Sequence, residues 1–122
     1  MSLGTVRTLI IDDDVYKATA IERVLRGLGV RQIETVSDQA SGLDYLHSCQ
    51  EEDKPLGLII TDMHYPLERG KGEEPEAGHK LLDRLEEEQI SIPVIICSTA
   101  RCRDDRALGA VWYSDNRDLL WQ

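Results

Sequence analysis

The chain has 122 residues, 41% of them hydrophobic and 30% charged, with a formal net charge of −9 and a pI near 4.7. That length suits a single domain, taken as residues 4–122, and leaves no room for a separate catalytic or output domain. The negative charge repels a phosphate backbone, and the apolar runs are too short to span a bilayer. A cytoplasmic protein without direct nucleic-acid or membrane binding is therefore expected.

In chain order, Val6-Arg7-Thr8-Leu9-Ile10-Ile11 reads as a strand whose apolar end suits a sheet covered on both faces. Ala18, Ile21, Leu25 and Leu28 recur at helical spacing, and Gly29 can end that helix. Arg31 to Val36 is a second strand, after which Ser37 or Asp38 can cap a helix carrying Ala40, Leu43 and Leu46. Leu56 to Thr61 is a third strand, and a helix bearing Leu81, Leu82 and Leu85 follows. Ile92 to Cys97 makes a fourth strand and Ala110 to Tyr113 a fifth. This alternation predicts an α/β fold, a doubly wound five-stranded parallel sheet in the flavodoxin-like order 2-1-3-4-5.

In such sheets, chemistry collects beyond the carboxyl ends of the strands, at the switch in strand order. The first strand ends in Asp12-Asp13-Asp14, the third in Asp62 and the fourth in Ser98-Thr99. With strands one and three adjacent, Asp12, Asp13 and Asp62 share one small volume. A single aspartate would serve to cap the helix. Three in a row facing a fourth accumulate like-charge repulsion that a divalent cation relieves, and an all-oxygen donor set favours Mg²⁺. Cys49, Cys97 and Cys102 form no CxxC pair, and with His47, His64 and His79 they lack zinc-site spacing.

Together these segments resemble the receiver domains of bacterial two-component response regulators. Leu9-Ile10-Ile11-Asp12-Asp13-Asp14 resembles the first strand with its acidic pair, and Ile59-Ile60-Thr61-Asp62 the strand that carries the phosphoacceptor. Pro66 and Gly78 match the proline and glycine beyond it. Ile92 to Ser98 resembles the fourth strand with its terminal hydroxyl, and Gly109 to Tyr113 the fifth, with Tyr113 at the aromatic switch position. The resemblance implies that Asp62 accepts a phosphoryl group from a sensor histidine kinase or phosphotransfer protein and signals to a downstream protein effector. It also implies Mg²⁺ held by Asp12, Asp13, Asp62 and the backbone carbonyl of His64, with Ser98 hydrogen-bonded to the phosphoryl group.

The pattern breaks in four places. Asn116 stands where the family has a lysine, which removes a positive charge and puts the conformational switch in question. Residues 67–77 form an acidic insertion, read either as a solvated excursion or as a lid over the pocket; Arg69, Lys71, Arg101 and Arg103 are candidates for the missing cation. The stretch from Ala100 to Leu108 is about one turn short for a fourth helix. The residues up to Gln122 leave only a stub of a fifth. These departures support an alternative, a phosphorylation-independent pseudo-receiver acting as a protein-binding module. Asp12-Asp13-Asp14-Val15 also fits the nucleophile motif of haloacid dehalogenase phosphatases, but the chain is short for that family's later motifs.

Overall fold

The structure, a computed structural model, describes residues 3–113. Five strands, β1 (Arg7–Ile11), β2 (Gln32–Val36), β3 (Leu58–Thr61), β6 (Val94–Ser98) and β7 (Gly109–Trp112), pair in parallel in the order β2-β1-β3-β6-β7. This is the predicted doubly wound sheet. Between them lie α1 (Val15–Gly27), α2 (Gln39–Glu51), α3 (Ala77–Glu87) and a small antiparallel hairpin of β4 (Tyr65–Pro66) and β5 (Glu73–Glu74).

The alternation of side chains along each strand builds two apolar layers. Leu9, Ile11, Ile59 and Ile96 face α2 and α3, where Leu43, Leu46, Leu81, Leu82 and Leu85 meet them. Ile10, Ile60 and Cys97 face the other way, onto Ala18 and Leu25 of α1, and Tyr113 packs against this second layer. Burial pushes the Cys97 thiol up, so it acts as a small buried hydrophobe, as its sequence context suggests. Among the described residues no helix is long and apolar enough to cross a membrane.

Helix ends follow local chemistry. The Asp14 side chain accepts from the amides of Tyr16 and Lys17, and Asp38 rather than Ser37 caps α2 through the Ser41 amide. At the end of α1, Gly29 adopts φ +101°, with Gly29 N–H bonded to Arg26 and Val30 N–H to Leu25, a Schellman closure.

Two regions depart from simple expectation. The acidic insertion is neither bare excursion nor closed lid. It is a hairpin tied down where Leu67 packs on the core and its carbonyl accepts from Ala40 N–H at 2.8 Å. No helix forms between β6 and β7, so the predicted shortened fourth helix is a run of turns and bends over 99–108. It is fastened by charge: Asp104 binds His79 Nδ1 at 2.9 Å and Arg106 Nη2 at 2.8 Å, and Arg106 also reaches Asp83 at 2.6 Å. Those partners hold the Asp104 carboxyl well below its usual range. The expected stub of a fifth helix, and Asn116, lie outside the described residues.

Candidate acidic site at the carboxyl edge of the sheet

Pairing of β1 with β3 places Ile11 beside Thr61, so the residues that follow, Asp12 and Asp62, leave the sheet side by side. Asp12 N–H continues the ladder to Val36 and Asp62 N–H to Ile11, which fixes both backbones. Asp12 and Asp62 are buried, and Asp13 is half-buried. One carboxylate oxygen from each of Asp12, Asp13 and Asp62 lies within 4.8 Å of the others. The three residues singled out from the sequence are therefore brought together.

The sequence reading missed the fourth member of this cluster. Lys17, in the first turn of α1, is only 1% exposed and points into the acid cluster. Its Nζ lies 2.8 Å from Asp12 Oδ2 and 3.0 Å from Asp62 Oδ1. Burial works against its ammonium, but Asp12 and then Asp62 outweigh that cost and raise its pKa. The proposed cations lie elsewhere. Lys71 pairs loosely with Glu68, Arg103 with Asp105, and Arg101 stacks 4.6 Å over the Trp112 ring. Arg69 alone comes near, lining the open groove beside Asp12, Asp13, Asp38 and Ser41.

The carboxylates differ in their surroundings. Asp12 Oδ1 accepts from Asp14 N–H at 2.9 Å, while the buried Oδ2 is paired with the Lys17 ammonium at 2.8 Å. Burial raises the Asp12 pKa, and the Asp62 charge adds to it. Asp13 is pushed up to about 7, first by desolvation and then by Glu73, which the hairpin brings alongside. Glu73 itself stays exposed on β5. Asp62 Oδ1 accepts from Met63 N–H at 2.7 Å and also faces Lys17. His64, two residues beyond Asp62, is half-buried on the turn into β4.

The turn after Asp62 is braced from behind. Thr61 Oγ1 donates to the Asp62 carbonyl at 2.8 Å and lies 2.9 Å from Tyr65 Oη, which accepts from Gln39 Nε2 at 3.2 Å. Ser98, 1% exposed at the end of β6, accepts from Ala100 N–H at 3.3 Å, which leaves its hydroxyl proton to donate. Asp14 spends its carboxylate on the cap, and the Asp12 side chain is 1% exposed.

The donor set suits a hard divalent cation. It is all oxygen, and offers three carboxylates against one ammonium.

No family model and no curated protein matches the sequence. Solved structures do match the fold. Response regulator TrrA from Thermotoga maritima, in complex with Mg²⁺ and BeF, superposes with a TM-score of 0.70 at 19% identity, over 95% of this chain and 93% of that one. The Mn²⁺-bound response regulator Rcp1 gives 0.70 at 18% identity, covering 95% and 86%. A CheY-like receiver domain from Methanospirillum hungatei gives 0.64 at 19%, covering 95% and 88%. The fold is that of the response regulator receiver domains.

Proposed function

We propose that the chain is a phosphoaccepting receiver in two-component signalling, with Asp62 as the acceptor. The observation that carries this reading is the convergence of Asp12, Asp13 and Asp62 oxygens within 4.8 Å at the carboxyl edge of a receiver-type sheet. Asp62 Oδ1 is held by Met63 N–H and Lys17, so Oδ2 is the oxygen that attacks. The new O–P bond forms as the P–N bond of a kinase phosphohistidine breaks, and the departing imidazole nitrogen keeps the electron pair. Asp12, Asp13, Asp62 and the His64 carbonyl would hold Mg²⁺, which offsets charge on the transferring group. The Ser98 hydroxyl donates to a phosphoryl oxygen. Partners of this reading are a sensor kinase or phosphotransfer protein and a downstream protein effector.

Incubation with acetyl phosphate and Mg²⁺, followed by intact-mass spectrometry, tests the reading. A phosphoryl adduct is expected in the native chain and not in Asp62→Asn. Absence of an adduct with both acetyl phosphate and a phosphorylated kinase would overturn it.

One observation favours a second reading. Lys17 already neutralises part of the pocket from within, so the pocket is charge-compensated without a cation or a phosphoryl group. Beryllofluoride distinguishes the two: resonance shifts far beyond the pocket argue for the phosphoaccepting receiver, and their confinement to it argues for the module.

A further inference from the structure

We infer that Lys17 is a built-in competitor for the divalent cation, holding Asp12 and Asp62 in the metal-free protein and yielding them when the cation enters. This rests on the metal-binding part of the reading above, not on phosphoryl transfer. Two of the three candidate ligands, Asp12 Oδ2 and Asp62 Oδ1, lie 2.8 and 3.0 Å from the same ammonium. A cation drawing on those carboxylates meets a positive charge a few ångströms away, and the low-dielectric surroundings do little to screen it.

The placement is built rather than incidental. Lys17 is 1% exposed, so in the metal-free protein its ammonium is held by the two carboxylates rather than by bulk water. Its backbone is fixed by the Asp14 cap, and Ala18 beside it packs under the sheet. The long stem of lysine permits a second position, since Nζ can swing away on rotatable bonds while its Cα stays in the helix. Asp13, which Lys17 does not touch, is the first carboxylate open to an arriving ion. Asp13 would therefore be the first ligand available, and Asp62 and Asp12 would become ligands as the ammonium withdraws.

The test uses the full chain and Mn²⁺ as probe, with free Mn²⁺ read by electron paramagnetic resonance and Mg²⁺ as competitor. Lys17→Met keeps the stem without the charge, and Lys17→Gln is a second neutral variant should methionine misfold. Both are expected to bind Mn²⁺ at least ~10-fold more tightly than the native chain. In the native chain, the NMR signal of the Lys17 ammonium should shift as Mg²⁺ saturates the site. Unchanged or weaker Mn²⁺ binding in both neutral variants, no binding in any form, or a Lys17 signal unmoved at saturation would each overturn the inference. Tightened binding without any phosphoryl adduct would uphold it while removing the phosphoacceptor reading.

Discussion

Gly78 of α3 donates its N–H to the Met63 carbonyl at 3.0 Å, and a Cβ at Gly78 would stand 3.0 Å from the Asp62 carbonyl oxygen. The helix is thereby pressed against the turn that follows Asp62. The same Cβ would meet Met63 Sδ at 3.0 Å and Cα at 3.2 Å, so mostly backbone would have to yield. Gly78→Ala is expected to lose about 1–3 kcal/mol by overpacking and to shift the amide resonances of Asp62 and Met63. Urea denaturation and a heteronuclear spectrum check both effects.

Proton linkage at Asp13 has a definite sign. Its folded pKa is raised to about 7, while the unfolded group titrates near 3.8. Between those values the folded chain keeps a proton that the unfolded chain has lost, so this group's contribution to stability falls as pH rises through the window. In chelator, the native chain should lose more Tm between about pH 4 and pH 7 than Asp13→Asn. Added Mg²⁺ should flatten that decline. Parallel curves for the two proteins would count against the assignment.

Tyr65 is fully buried, and burial pushes its hydroxyl up to about 12, so it stays protonated across the working range. Removing Oη leaves Thr61 and Gln39 each short of one partner, although Gln39 Nε2 keeps the Ala77 carbonyl at 2.8 Å. Tyr65→Phe should cost about 1–2 kcal/mol, read as a lower urea midpoint with unchanged m-value. No change in midpoint would show that the hydroxyl network adds nothing net.

The end of α3 repeats the closure of α1 with the wrong residue. Gln89 sits at φ +56° and Ile90 N–H bonds Leu85 at 2.8 Å, where α1 uses Gly29. Gln89→Gly should stabilise the chain by about 1 kcal/mol through relief of the left-handed backbone. Thermal melts of the exposed-site variant measure it directly.

Much of the fold was legible because each strand carried its own signature. The alternation of Leu9 and Ile11 against Ile10 specifies two covered faces, and Asp12 and Asp62 end neighbouring strands. Lys17 was not read, although a signal existed. Lys17, Ile21 and Leu25 recur at helical spacing, which turns the lysine toward the sheet edge where Asp12 and Asp62 lie. The other candidate cations, Arg69, Lys71, Arg101 and Arg103, lie on loops. The role of Glu73 could not be read locally, because only the β4–β5 pairing brings it back to Asp13. In residues 99–108 the shortness of the segment pointed to a single turn or irregular chain, but its ion pairs to His79 and Asp83 join distant positions and were not legible there.

That replacement divides the molecule by what loosens it. The sheet is held by buried apolar surface, which salt does not weaken. The segment downstream of Ser98 is moored by Asp104, Arg106, His79 and Asp83, with Arg106 one-third exposed. Electrostatic reach shrinks from about 10 Å at 0.1 M salt to about 3 Å at 1 M. Ionic strength therefore acts first on the exposed arms of this mooring, at Arg106 and Asp83, and leaves the core beneath it intact.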